Sequence, residues 1–237
     1  MTGLRRPKSR ARLYFSFRSP YSWMTVLRLR AAVPDAMRRI DWVPYFDPDQ
    51  TTERMLTERG AEFHYVQMSR AKHRYILMDT RRQAERHGLR MAWPVDVDPW
   101  WELPHLAWLA AREQGRALEF YDAVTAARWQ RGEDICTPRV LRQVALDAGV
   151  DPEAALAAPH DPEVREAAVA GLVQAYHDDV FGVPYLRWGQ HRFWGLDRLA
   201  DFLAVWSPPE PPLAEPRPAA PGQVLAGYDT DTAGGCG

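Results

Sequence analysis

The chain has 237 residues, of which 46% are hydrophobic and 26% charged, with 30 Lys and Arg against 31 Asp and Glu. That balance is enough to bury a core and excludes wholesale disorder, and a net charge of -1 gives no reason to expect nucleic acid as the main partner. Two cysteines, Cys136 and Cys236, exclude a disulfide scaffold, a zinc ribbon and an internal CxxC redox pair.

Residues 1–12 form a basic arm (Arg5, Arg6, Lys8, Arg10, Arg12), read as a frayed terminus. Arg18 and Pro20 interrupt the apolar run that follows, so no signal peptide is expected, and no stretch approaches the ~18 to 20 apolar residues of a membrane span. The expected location is the cytoplasm, without membrane attachment. Leu13 to Phe17 reads as a buried strand, and Ser19-Pro20 supplies a helix cap followed by proline at the first helical position, predicting a helix from Pro20 to Ala32. Ile40 to Phe46 is rich in β-formers and predicts a second strand, parallel to the first across the intervening helix.

From Thr51 to Asp179 the pattern turns helical, with helices expected over 74–87, 103–113, 118–130, 138–148 and 163–177. Val183 to Trp188, a Gly189-Gln190 turn and His191 to Trp194 predict a hairpin, and Asp197 to Val205 a last helix. The fold class expected is α/β: a thioredoxin-like fold over residues 13–50 and 180–206, with an all-helical insertion, residues 51–179, between strand two and the C-terminal hairpin. Residues 207–221 hold seven of the 20 prolines and predict an extended linker, followed by a small, polar, flexible tail over 222–237.

Three places in this layout have the residue types for chemistry. Ser19-Pro20-Tyr21-Ser22-Trp23 lies where strand one meets helix one, and the free N–H groups and dipole of a helix N-terminus stabilise a thiolate. Redox members of such folds carry two cysteines at this junction; here Ser19 and Ser22 stand instead. Serine cannot exchange disulfides, but its hydroxyl can donate to the sulfur of a bound thiol and lower that thiol's pKa. Ser19 is either that donor or a helix cap alone. Phe181-Gly182-Val183-Pro184 precedes the hairpin, where a cis proline is expected, leaving the N–H and C=O of Val183 to pair with an extended ligand. In Phe193-Trp194-Gly195-Leu196-Asp197-Arg198, Asp197 stands at or near a helix cap and has the charge to pair with a ligand ammonium.

In combination, Ser-Pro-Tyr-Ser after strand one, Phe-Gly-Val-Pro before the hairpin and Phe-Trp-Gly-Leu-Asp-Arg opening the last helix resemble the 2-hydroxychromene-2-carboxylate isomerases and kappa-class glutathione transferases, a branch of the disulfide-oxidoreductase-like thioredoxin superfamily. The resemblance covers roughly Leu13 to Trp206. It implies a homodimeric enzyme that binds glutathione or another small thiol, uses no metal, and isomerises or conjugates an aromatic or polyketide-like secondary metabolite. On that carry-over Ser19 is the catalytic contact to the thiolate, Tyr21, Ser22 and Trp23 belong to the thiol-binding turn, Val183 before Pro184 clamps the thiol's backbone, and Leu196, Asp197 and Arg198 hold its γ-glutamyl end. The chain departs from the family pattern at Ser16, where an acidic residue is common, at Arg18, where a small one is, and at Leu196, where a polar one is. After strand two it carries Asp47, Pro48, Asp49 and Gln50 rather than a lysine and an asparagine, with Arg54 nearby, and Tyr185 stands where threonine is common.

Weaker candidates complete the reading. Asp96, Asp98, Glu102 and His105 are close in sequence, as are His177, Asp178 and Asp179, without a strong metal-ligand pattern. Trp93, Trp100, Trp101 and Trp108 either line an aromatic substrate pocket or pack the insertion. Cys136 is expected to be buried. The chain ends Gly235-Cys236-Gly237, matching the Cys-Gly terminus of glutathione, so Cys236 is either an accident of a flexible tail or a thiol offered to the groove in place of the small-molecule thiol. The alternative function is a non-catalytic thiol- or peptide-binding protein for which that tail is a pseudo-ligand or a modified peptide.

Overall fold

A computed structural model describes residues 10–64 and 68–207. Strand β1 (Ala11–Phe15) leads through the Ser19 cap into α1 (Pro20–Ala32), a short helix α2 (Ala36–Arg39) and strand β2 (Ile40–Pro44). After the inserted helices, β3 (Tyr185–Trp188) and β4 (His191–Trp194) form the hairpin. The four strands are ordered β2-β1-β3-β4, with β1 and β2 parallel, as the strand-helix-strand opening requires, and the other two pairs antiparallel. Both strands of the parallel pair end earlier than their β-forming residues suggest. The N–H of Phe17 bonds to a side chain of the insertion, so the ladder of β1 stops at Phe15, and β2 stops at Pro44, although Tyr45 N–H still bonds Phe15 O at 2.7 Å.

The insertion runs α3 (Gln50–Glu58), α4 (Arg70–Arg86), α5 (Glu102–Glu113), α6 (Ala117–Thr125), α7 (Pro138–Asp147), α8 (Pro152–Ala157) and α9 (Pro162–His177). The helix expected over 118–130 is divided, because its last turn, Ala126–Gln130, is π-helical. Two helices of the insertion are not expected from the sequence, for different reasons. Helix α3 has only two large apolar side chains, Met55 and Leu56, among polar ones, and α8 is only six residues long. The last helix is also divided, into a 3₁₀ turn (Leu196–Arg198) and α10 (Leu199–Trp206).

Sheet and insertion share one core. The fully buried Phe15 ring makes edge-to-face contacts with Phe17, Trp42, Trp108 and Tyr121, at centroid distances of 5.1–5.7 Å, and so ties β1 to β2, α5 and α6. A second tie is polar. Buried Asp178, just past α9, accepts from Arg12 at 2.7 and 3.1 Å, from Gln174 at 3.2 Å and from the hydroxyl of Tyr14, and pairs with Arg187. That network makes Asp178 a brace between α9, β1 and β3, while its neighbour Asp179 pairs with Arg192 of β4 at 2.7 Å. A smaller cluster of Trp23, Met24, Ala84, Trp129 and Leu196 joins α1 and α4 to the π-turn and to the 3₁₀ turn after β4.

Replacing Phe15 by Ala removes a ring from a site without solvent on any side. We expect Phe15→Ala to lower unfolding stability by about 3–5 kcal/mol in urea titrations; a loss below about 1 kcal/mol would contradict the central place given to this ring.

Candidate functional site

The loop between β1 and α1 turns tightly, and its polar groups are almost all taken from within. Ser16 O accepts the Ser19 N–H at 3.1 Å, Ser16 Oγ accepts the Arg18 N–H at 3.2 Å, and Ser22 Oγ accepts the Ser16 N–H at 3.3 Å. The turn delivers Ser19 to the cap of α1, where its Oγ accepts the Ser22 N–H at 3.2 Å. That bond occupies an oxygen lone pair and leaves the hydroxyl proton free to point outward; here it reaches Val183 O at 3.4 Å, a long and readily exchanged bond. The first turn of α1 contains no acidic side chain, and the Tyr21 N–H has no partner among the described residues. An anion brought to this point meets an uncompensated helix dipole.

Facing Ser19, the Val183-Pro184 peptide bond is cis, as expected from the sequence. The hydrogen bond from Ser19 to Val183 is therefore the direct link between the first and second sequence motifs. The third joins them through Gly195, whose N–H donates to Pro184 O at 3.0 Å. Gly195 has a φ of +98°, and a Cβ there would stand 2.8 Å from Asp197 Oδ1. Gly182 is needed for room instead: a Cβ would stand 2.8 Å from the indole nitrogen of Trp194. Phe181 and Trp194, 52% and 40% exposed, pair edge to face at 4.9 Å and form an aromatic rim beside this loop.

The residues singled out by sequence divide into two groups. Ser19, Val183, Pro184 and Gly195 come together, and the side chains of Asp197 and Arg198 are 73% and 56% exposed, 3.8 Å apart, beside the same turn. Asp197 caps no helix: it lies inside the 3₁₀ turn, which removes the expected capping role. Ser22, Trp23 and Leu196 are buried. The Ser22 hydroxyl is turned inward onto Ser16, Trp23 stacks with Trp129, and Leu196 packs in the same small cluster, so these three side chains build the site from behind without facing a ligand. Tyr21 is between the two groups; its hydroxyl donates to Asp79 of α4 at 2.7 Å, and burial followed by that carboxylate holds its pKa above the usual phenol range. Cys236 lies outside the described residues.

The insertion closes the back of the site through the first turn of α5. His105 is fully buried; its Nδ1–H donates to Trp101 O at 2.7 Å, so Nε2 is the acceptor. Nε2 takes the Phe17 N–H at 3.0 Å and faces the Ser16 hydroxyl at 3.3 Å. One turn earlier, Glu102 Oε1 accepts the Asp49 N–H at 2.9 Å, fixing the loop after β2. Burial raises the Glu102 pKa and drives that of His105 down to about 3, with the Arg128 guanidinium adding to the second effect.

Of the remaining metal candidates, Asp96 binds Arg128 through two bonds of 2.8 and 2.9 Å, and among the described residues no three His, Cys, Asp or Glu side chains are grouped to hold a metal. The four tryptophans do not share one pocket: Trp101 and Trp108 are buried, Trp93 and Trp100 exposed. Arg128 lies 4.9 Å over the Trp101 ring and 4.7 Å over Trp129. Arg18, a departure from the family pattern, pairs with Asp47 at 2.7 Å, linking the turn after β1 to the loop after β2. Arg54 is exposed and bonds within its own helix to Gln50 O and Thr51 Oγ1. Cys136 is partly buried, and burial pushes its thiol pKa up, away from nucleophilic use. The contribution of His105 was missed because a histidine four residues after Trp101 carries no motif; its partners come from a loop nearly ninety residues away.

The family of DSBA-like thioredoxin domains matches residues 12–205. The 2-hydroxychromene-2-carboxylate isomerase of Sphingobium xenophagum is 30% identical over 195 residues, a span covering 80% of this chain and 93% of that protein. Among solved structures, a 2-hydroxychromene-2-carboxylate isomerase superposes with a TM-score of 0.64 at 21% identity, covering 82% of this chain and 92% of its own. A probable DsbA oxidoreductase of Streptomyces coelicolor superposes with a TM-score of 0.61 at 18% identity, covering 90% and 99%. No helix among the described residues is long and apolar enough to cross a membrane.

The His105 environment predicts an acid response. Its folded pKa of about 3 lies below the unfolded value of 6.5, so between them the unfolded chain binds a proton that the folded chain refuses, and stability falls as pH drops through that window. Urea titrations between about pH 6 and pH 4 should show wild type losing up to ~1.4 kcal/mol per pH unit more than His105→Gln. Equal slopes would contradict a buried, neutral imidazole.

Proposed function

The chain belongs to the DSBA-like thioredoxin domain family, and from that membership we propose that it is a thiol-dependent isomerase that takes glutathione or another small thiol and acts on an aromatic or other secondary metabolite. The relationship supports an enzyme of the isomerase or thiol-oxidoreductase type, and the residues at the turn favour the isomerase. The observation that carries the reading is the Ser19 hydroxyl, held by α1 on one side and aimed at Val183 before the cis proline on the other. With serine at both 19 and 22, the turn has no sulfur of its own to exchange, and the thiol must come from outside it.

The groups present fit a small peptide-like thiol. The Val183 N–H, like that of Tyr21, has no partner among the described residues, and the exposed Asp197 and Arg198 offer one charge of each sign to a zwitterionic end. When bound, such a thiol supplies a nucleophilic sulfur that adds reversibly to the substrate and leaves unchanged. Ser19 donates its proton toward the sulfur, giving up the long bond to Val183 O. The α1 dipole favours the charged form of the sulfur, and Val183 aligns the backbone, so the chain's task is positioning and electrostatic stabilisation. Phe181 and Trp194 offer an apolar rim to an aromatic substrate.

The test is calorimetric binding of glutathione together with ultraviolet titration of the bound thiol. Wild type should bind and lower the thiol's pKa; Ser19→Ala should keep affinity within about threefold while the bound thiol's pKa rises by about one unit, or ~1.4 kcal/mol. Failure of wild type to bind glutathione or any other small thiol would overturn the reading. Binding without isomerisation of any aromatic substrate would leave only a thiol-binding protein.

A further inference from the structure

We propose that His105 is a positioning residue for the thiol site: by accepting the Phe17 N–H, it holds the turn that presents the Ser19 hydroxyl. This rests on the reading of Ser19 as the group that meets the thiol. Where β1 leaves the sheet, the chain enters the protein interior with its backbone still polar, and Phe17 and Ser16 are both buried. An unpaired N–H at such a place is costly, and a loop free to avoid that cost would move. Ser16 and Ser22 satisfy the rest of the turn from within it. Of the turn's backbone groups, the Phe17 N–H is the one bonded to a helix of the insertion.

The imidazole is itself immobilised. Trp101 O fixes the Nδ1–H tautomer, the Phe46 ring stacks on one side at 4.9 Å and 20°, and Phe17 lies against it at 5.1 Å. Rotation about χ2 would exchange a nitrogen for a carbon at the Phe17 N–H and lose both bonds. A ring held in this way transmits the position of α5 to residues 16–18 and through them to Ser19, two residues beyond Phe17. Precision matters there because the Ser19 hydroxyl must pass from Val183 O to an incoming sulfur; a shift of roughly 1 Å would take it out of hydrogen-bonding range of that sulfur. The carboxylate of Glu102 one turn earlier serves the β2 loop, so the Phe17 bond has no substitute on α5.

Two polar replacements separate positioning from packing. Glutamine can place Oε1 where Nε2 stands and keep accepting from Phe17; asparagine is too short for that but can keep the bond to Trp101 O. We expect His105→Gln to retain glutathione affinity and the lowered pKa of the bound thiol within about twofold, and His105→Asn to weaken binding roughly tenfold with the thiol's pKa returning toward its free value. Circular dichroism verifies that both fold. Amide exchange at Phe17 and Ser19 should quicken about tenfold in His105→Asn and stay near wild type in His105→Gln. An Asn variant equal to wild type, or a Gln variant as impaired as Asn, overturns the proposal. Should wild type take up no thiol, the thiol reading falls and amide exchange alone decides for His105, with equal rates in the two variants refuting it.

Discussion

A strand that ends inside a protein leaves its next backbone groups without a ladder, and where two parallel strands end side by side the need is doubled. Here one turn of one helix meets the first need and fixes the loop that follows the second strand. At the carboxyl end of β1, Phe17 donates to Nε2 of His105; in the loop after β2, Asp49 donates to Oε1 of Glu102. The two acceptors are three residues apart on α5 and so face the same way. The edge of the sheet where ligands gather in open α/β folds is thereby built jointly by the sheet and the insertion, with the aromatic packing around Phe15 holding the two parts together.

The thiol chemistry proposed for the site follows from what this scaffold leaves free. Ser22 is fully buried behind the turn, its Oγ accepting the Ser16 N–H, whereas Ser19, whose cap bond uses only its oxygen, directs its proton toward Val183 across the site. The same backbone turn with cysteines would exchange disulfides. With serines it has no sulfur to exchange, and the role proposed for it is to stabilise one brought by another molecule, laid along the backbone edge of the cis proline loop opposite.

Much of this was legible in the sequence because the signals are local. Ser19-Pro20 announces the start of α1, Gly189-Gln190 the hairpin turn, and the order of elements the fold. The order and spacing of three short motifs mark Ser19, Val183 and the Gly195 turn in the sequence itself. What stayed hidden depends on partners distant in the chain. Nothing near Leu196 or Trp23 says that both are spent in the small cluster that includes Trp129, and nothing near His105 says that its acceptor is needed by Phe17. Helix α3 is hard to read because its burial rests on two residues, and Asp197 reads as a cap because a 3₁₀ turn and an α-helix begin alike.

Ser19 and Val183 together are proposed as the seat of a small thiol. A crystal structure of the protein with glutathione tests it most directly. The sulfur is expected within hydrogen-bonding distance of Ser19 Oγ, with the cysteinyl backbone paired to the Val183 N–H. Glutathione seated elsewhere, with the Ser19 to Val183 hydrogen bond intact, would contradict it.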